Sequence, residues 1–434
     1  MFDLRDRPGV GRWGLAALLA AFHLMAFVDR FTLSVVAGPV KSALRLTESG
    51  LGVLQGLAFA IPYAVAILPF GHLTDRTRAP PFIVWGVLVW TAGSALCGLV
   101  QSYGQMVGAR ALMGIGQAAF TPAALGLIGG LFTRTAVARP LSVFTAGSTL
   151  GKSVALLAGG GALALLSTGG VLQAAAGHAP WRGVFVLTAL PNLMLAAAFW
   201  FAAPGFAAPR ARIAPPDRTD GPAEAPRAIL STRFFLHAAV AISPIVLIQA
   251  AAAWTPLFYS RTFALSTVRS ALLLGALVFA TAPTGHLIGG QATTLLVRRG
   301  VPPALLIGAV LAATVPIAAV VCFAHDLGLS LAAYGVMVLL LGIAAPAGLT
   351  GVRLLAPEGG LGAANGVFMS LTTLVGVGLG PTLVGFLSDA LYGGPRGLAL
   401  SLMTLTAIVG VGGTMLAAKL YVRDISGGRI SAPI

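Results

Sequence analysis

Charge is what this chain has least of. Only 9% of its 434 residues are Asp, Glu, Lys or Arg, where a soluble domain carries roughly 25%. Acidic side chains are scarcest, 12 against 27 Lys and Arg. Cysteine is nearly absent: Cys97 and Cys322 lie in separate apolar runs, which gives neither a disulfide framework nor metal-ligand spacing. There is no Ser-His-Asp arrangement. There is also no Gly-x-x-x-x-Gly-Lys phosphate loop, which an ATP-driven pump would need. The chain therefore reads as no enzyme, with no cofactor and no metal. Its net charge of +15 would suggest nucleic acid in a soluble protein, but here most basic residues fall in short loops between apolar runs. That pattern is an orientation signal rather than a polyanion site.

Long apolar runs are abundant. Hydrophobic residues make up 57% of the chain, and runs of 18 or more recur, each long enough to cross a bilayer. The 56 Gly and 27 Pro sit inside these runs, as membrane helices allow. Twelve spans are expected, near 14–39, 50–70, 81–101, 105–131, 140–165, 183–203, 233–259, 268–293, 303–324, 328–350, 362–388 and 397–420. The first run is too long for a signal-peptide core and carries Asp29 and Arg30, so no cleaved leader is expected. Residues 204–232 are rich in Pro, Arg, Asp and Ala without apolar period. They read as a cytoplasmic linker between an N-terminal six-helix half, 1–203, and a C-terminal half, 233–434. With the N-terminus inside, eighteen Lys and Arg lie on the inner side and six on the outer, with Arg30, Arg110 and Lys152 inside spans. That bias predicts both termini and the linker in the cytoplasm of a multi-pass membrane protein. Gly289-Gly290 followed by Arg298-Arg299-Gly300 echoes the end of the second span, as a two-half transporter predicts.

The second span ends in Gly71-His72-Leu73-Thr74-Asp75-Arg76, which resembles the loop signature of major facilitator transporters. Val28-Asp29-Arg30-Phe31-Thr32-Leu33-Ser34, Leu51 to Phe59, Ala109-Arg110-Ala111-Leu112-Met113-Gly114-Ile115-Gly116 and Pro180-Trp181-Arg182-Gly183 are similar to bacterial spinster-like members. The resemblance implies an all-α integral membrane protein of twelve helices in two pseudo-symmetric six-helix halves. It also implies that Gly71, Asp75 and Arg76 gate the inner face through ion pairs and helix-dipole contacts. The chain departs from the spinster-like pattern at Gln117, where a proton-coupling Glu is usual, and at Thr294, where the repeated signature would have Asp.

A charge at mid-bilayer costs about 2.5–3.5 kcal/mol on insertion scales, so it is kept for a function. Four such residues occur: Asp29, Arg30, Arg110 and Lys152. At about 1.5 Å per residue, Asp29 lies roughly 22 Å along the first span, Lys152 roughly 18 Å along the fifth and Arg110 roughly 8 Å into the fourth. Gln117 is two turns along from Arg110 on the same face. This set is expected to line one cavity and handle substrate and coupling. Three cations against one carboxylate favour an anionic ligand; the plainer reading is that Arg110 snorkels outward and Lys152 pairs with Asp29. Asp29 is the candidate titrating carboxylate, with His23, His72 and His286 as other proton-exchanging groups. Gln249 and Asn365 are candidate substrate contacts, beside the uncharged Gln55, Thr372 and Thr373.

The expected activity is secondary transport by alternating access. The spinster-like resemblance implies an anionic amphipathic substrate such as a lysophospholipid, with proton coupling or simple facilitation. The alternatives are a small organic-anion:proton symporter of the same fold and a non-transporting receptor or scaffold. The bilayer, the anionic substrate and, where transport is coupled, protons are the expected partners; nucleic acid is not, and the chain reads as a monomer.

Overall fold

The computed structural model describes residues 11–74, 79–133, 136–168, 179–203, 232–355 and 361–426. The expected linker, up to residue 231, and the gating pair Asp75 and Arg76 lie outside them. Among the described residues there is no strand, and twelve helices are long and apolar enough to cross a membrane. In chain order these spans are Arg12–Val35, Glu48–Gly71, Ala79–Cys97, Tyr103–Leu131, Arg139–Ser167, Pro180–Ala202, Arg233–Thr262, Thr267–Arg298, Pro303–Phe323, Leu327–Val352, Gly366–Tyr392 and Gly397–Arg423. They are called spans 1 to 12 below. The protein is an all-α, multi-pass membrane protein.

Local chemistry sets the span ends. Ser102 caps span 4 by accepting the Gln105 amide at 3.3 Å, and Asp326 caps span 10 by accepting the Leu329 amide at 2.7 Å. Pro180 opens span 6 at a position where its missing N–H costs nothing. Span 8 stops at Gly300, whose φ of +74° suits only glycine. There Val301 N donates to Leu296 O and Gly300 N to Val297 O, satisfying the last carbonyls.

The described chain forms two compact units. Unit 1 comprises Met1–Arg45, Ala58–Arg212 and Thr267–Gly275; unit 2 comprises Leu46–Leu57, Ile213–Ser266 and Ala276–Ile434. The core of unit 1 is aromatic. Phe22 of span 1 makes edge contacts with Trp90, Phe120 and Phe199 of spans 3, 4 and 6, all fully buried. Small residues bring span 5 onto span 1: a Cβ on Gly147 would lie 2.8 Å from Ala20 O, and one on Gly151 2.7 Å from Leu24 O. This contact fixes the height of Lys152 against span 1.

Two spans are irregular. Span 2 breaks at Gly56 (φ −116°, ψ −93°) into Glu48–Gln55, which packs in unit 2, and Leu57–Thr74. Span 11 widens into a π-helix over Thr372–Leu379, returns to α-helix over Gly380–Leu387, and widens again over Ser388–Tyr392. Pro381 has no N–H to give to the preceding turn, and Gly380 N reaches back five residues to Val375 O.

The segment Glu48–Gln55 is held by polar contacts. Glu48 N and Ser49 N donate to the Asp389 carboxylate at 3.1 and 2.6 Å. Arg261 Nη1 pairs with Glu48 Oε1 at 2.6 Å, and Thr382 Oγ1 donates to Gly52 O at 3.2 Å.

Candidate functional site

Span 1 is the organiser of a charged cluster in unit 1. Consecutive residues on an α-helix point about 100° apart, so Asp29 and Arg30 serve different neighbours. Asp29 is completely buried. Its Oδ1 accepts from Ser94 Oγ of span 3 at 3.0 Å, and its Oδ2 accepts from Asn192 Nδ2 of span 6 at 2.6 Å. Two neutral donors therefore hold the carboxylate, in place of the Arg110 or Lys152 bridge that charge counting suggests. Neither Ser94 nor Asn192 stood out from the sequence. Asn192 does leave a signal, as an amide inside the apolar run 184–203 where such groups need a partner.

Arg30 turns the other way. Its Nη2 donates to Gln117 Oε1 of span 4 at 2.8 Å, and Gln117 Nε2 donates on to Ala26 O at 2.9 Å. Gln117 is thus fully engaged and pins spans 1 and 4 together. The Arg30 guanidinium lies over the rings of Phe59 at 4.2 Å and Phe27 at 4.6 Å, with Tyr63 at 6.0 Å. These aromatic contacts are worth about 0.5–2 kcal/mol each. Arg30 Nε is buried with no hydrogen-bond partner among the described residues.

Arg110 is fully buried and does not snorkel; its Nη1 donates to Arg30 O at 3.0 Å, and its guanidinium lies 5.8 Å from the Phe59 ring. Lys152 is half-buried, and its Nζ sits 5.6 Å from the Phe31 ring, which itself stacks on Phe27 at 6.4 Å. His23 stacks on Phe144 at 4.2 Å, and its Nδ1 is 2.8 Å from Phe144 O, a packing role. Span 1 thus presents Phe27, Arg30 and Phe31 as one wall, with Lys152 from span 5 and Phe59 and Tyr63 from span 2 around it.

The other candidates lie apart. Gln249 is in unit 2, buried, with Oε1 unpartnered among the described residues. His286 Nδ1 is 2.9 Å from Ala282 O, one turn back along span 8. Gly71 is described, and a Cβ there would meet nothing within 4 Å. Asp75 and Arg76, and the side chains of His72 and Asn365, are outside the described residues. Residues 146–153, Ala-Gly-Ser-Thr-Leu-Gly-Lys-Ser, come near a phosphate-loop pattern but lie wholly inside the continuous helix of span 5. No loop of free amides exists there to cradle a phosphate. Among the described residues no group of His, Cys, Asp or Glu could hold a metal ion.

A buried multi-cation cluster in a twelve-span bundle points to transport, and comparison with known proteins decides the family. The Major Facilitator Superfamily profile matches residues 19–299, well over half the chain. The chain belongs to the major facilitator superfamily. It is 28% identical to an MFS-type efflux pump of Mycolicibacterium smegmatis over 98% of this chain and 96% of that one. It is 30% identical to a probable L-galactonate transporter of Escherichia coli, over 42% of this chain and 37% of that one. It is also 30% identical to the mouse sphingosine-1-phosphate transporter SPNS2, over 33% of this chain and 26% of that one. In structure it is similar to a bacterial homologue of the human lysosomal transporter spinster, solved inward-facing and unoccupied. The TM-score is 0.83 at 21% identity, covering 98% of this chain and 99% of that one. The fold, the family and the spinster-like resemblance are therefore those expected from the sequence, and the chain is a transporter-family member rather than an enzyme.

Proposed function

We propose that this facilitator moves an anionic amphipathic molecule, such as a lysophospholipid, across the bacterial inner membrane by alternating access. The observation that carries this reading is the charge balance inside the spans of unit 1. Among the described residues there, Arg30, Arg110 and Lys152 stand against one carboxylate, and both oxygens of that carboxylate accept from Ser94 and Asn192. Positive charge held in low dielectric is costly, and an anion seated between Arg30 and Lys152 offsets that cost. The partly exposed ring of Phe27 supplies apolar surface for the rest of the molecule, backed by the buried rings of Phe31, Phe59 and Tyr63. Gln117 keeps Arg30 oriented toward the anion. Two relatives are named for anions, a sugar acid and a lipid phosphate, which supports the same reading. Asp29 is the acid through which proton coupling would run.

The halves 1–203 and 233–434 are the proposed moving bodies, with Asp75 and Arg76 at the cytoplasmic gate and the excess of Lys and Arg on the same side as both termini. The relative named for L-galactonate favours a second reading, a small organic-anion symporter.

Exchange in proteoliposomes tests the proposal, with a labelled lysophospholipid and a labelled small carboxylate presented to wild type, Arg30→Ala and Lys152→Ala, with and without a pH gradient. Lipid exchange lost in both variants is the expected result. Exchange of the carboxylate alone would select the symporter. Exchange indifferent to both substitutions would remove the cluster from the substrate path.

A further inference from the structure

Unit 2 holds a second set of buried polar atoms without partners among the described residues. Gln55 is 7% exposed, yet both its Oε1 and its Nε2 are buried and unpartnered among the described residues. Gln249 is 4% exposed with a buried, unpartnered Oε1, and Thr372 Oγ1 is in the same condition. Buried polar atoms in native proteins are almost always satisfied, and each exception asks for a reason. Here two of the exceptions, Gln55 and Gln249, flank one helix, and Thr372 lies on it.

The backbone contacts show how they come together. Gly52 and Gly56 of the leading segment of span 2 lie on span 11. A Cβ on Gly52 would be 2.9 Å from Pro381 O, and one on Gly56 would collide with Gly378 O. Gln55, three residues after Gly52, shares that helix face. On span 7, Ile245 and Val246 receive Gly376 and Gly380, and Gln249 lies four and three residues further along the same face.

Spans 2 and 7 meet the same side of span 11. Pro381 O lies against Gly52 and also accepts from Trp254 Nε1 at 2.9 Å. Gly385 is pressed against Glu48 O and the Trp254 ring together. Gln55 and Gln249 thus flank span 11 at the same level, where the π-helix Thr372–Leu379 gives way to α-helix, one turn from that shared contact. Thr372, at the start of the π-helix, lies about two turns away. A π-helix is rare and occurs frequently at functional sites.

We propose that Gln55 and Gln249 form a subsite for uncharged hydroxyl groups of the transported molecule. A hydroxyl both donates and accepts, which matches an amide offering both functions together with a further carbonyl oxygen. Neither residue carries a charge, so the subsite does not compete for the anionic group. The inference deepens the anion reading and rests on it only for the choice of probes. The molecule it describes is an anion that also carries free hydroxyls, either a glycerol-bearing lysolipid or a sugar acid.

The experiment has two arms. In the first, wild type, Gln55→Leu, Gln249→Leu and the double variant are compared for thermal stability without added substrate. Removing amides that await a ligand raises the melting temperature, whereas removing amides satisfied by water or by packing lowers it. In the second arm, exchange is measured for two matched pairs: lysophosphatidylglycerol against lysophosphatidic acid, and gluconate against hexanoate. Wild type is expected to favour the hydroxylated member of one pair about tenfold, and the double variant to lose that preference while still moving the other member. The pair that shows the preference identifies the source. A lowered melting temperature, or a preference that survives the double substitution, overturns the subsite. If wild type moves none of the four anions, the anion reading itself fails, and the melting arm alone then decides the subsite.

Discussion

The segment Glu48–Gln55 is eight residues long, far below the length at which a helix is stable alone. Its order must come from what it is docked on, and the docking is polar at the end where the chain enters. Asp389 takes the first two amide hydrogens, at 3.1 and 2.6 Å, while Thr47 Oγ1 takes that of Gly50 at 3.0 Å. These amides have no partner inside the helix. Replacing Asp389 with Ala strands two donors and removes a negative charge from a helix N-terminus. A lost cap costs about 0.5–2 kcal/mol, and hydrogen bonds to a charged group about 1.5–3 kcal/mol when sheltered. Ser49 is not fully buried, so the loss works out at about 1–3 kcal/mol. Local opening of the segment then becomes about 5- to 150-fold easier. Hydrogen exchange followed by mass spectrometry reads this directly. In Asp389→Ala, peptides covering residues 48–55 are expected to exchange faster by that factor, while peptides from span 4 keep wild-type rates. Arg261→Gln removes a pair whose arginine side chain is 35% exposed. Such pairs contribute about 0.2–1 kcal/mol, so its effect is smaller, at most about fivefold. Unchanged exchange in Asp389→Ala, a reversed order of the two variants, or an equal rise in span 4 would refute a locally held segment.

Four other outcomes follow from the same contacts. Asn192→Leu strips the 2.6 Å donor from a buried carboxylate and is expected to lower stability by about 2–3 kcal/mol; Ser94→Ala, at 3.0 Å, lowers it less. Thermal melts of both variants decide this, and a larger loss in Ser94→Ala contradicts it. Gln117→Glu places an acid against Arg30; ionised at high pH it occupies the guanidinium and competes with an anionic substrate, and protonated at low pH it releases it. Exchange in that variant should therefore fall as pH rises, over a range where wild type changes less, and parallel pH profiles would contradict the role given to Arg30. Lys152→Arg is expected to keep most exchange and Lys152→Ala to lose about tenfold or more, because the position needs a cation over Phe31; equal losses would point to packing. Gly56→Val puts a branched side chain against Gly378 O, where even a Cβ does not fit, and is expected to abolish folded, monodisperse protein in detergent; a normal elution profile would show that the break tolerates movement.

The twelve spans were legible because a bilayer imposes one demand on all of them, about 20 apolar residues in a row, and the chain meets it twelve times. The internal breaks were not. Glycine inside an apolar run is written the same way whether it packs helices or interrupts one. Gly147 and Gly151 do the first, whereas Gly56, in a segment of similar composition, does the second. The deciding information is a partner more than 300 residues away, the π-helix of span 11, which no local pattern contains. The widening of that span was equally hidden, since Pro381 looks like any other proline in a membrane helix.

The same reasoning explains why the charged cluster was found while its wiring was not. Counting charges within spans picks out Asp29, Arg30, Arg110 and Lys152, because each is expensive in an apolar bundle, and it suggests pairing opposite signs. Adjacent residues on a helix cannot share a direction. Asp29 faces spans 3 and 6, where Ser94 and Asn192 offer neutral donors; Arg30 faces spans 2 and 4, where Gln117 and the Phe59 ring receive it, with Phe27 of its own helix alongside. Neutral partners leave formal charge in place where an ion pair would cancel it. A carboxylate wired to Ser and Asn stays available to a proton, and a guanidinium wired to an amide and aromatic faces stays available to an anion. On the proposed reading the site therefore keeps its two charges separate so that each can meet a mobile partner of opposite sign. Had Asp29 closed on Arg110 or Lys152, the cluster would have been a strut, and the cost of burying it would have returned only stability.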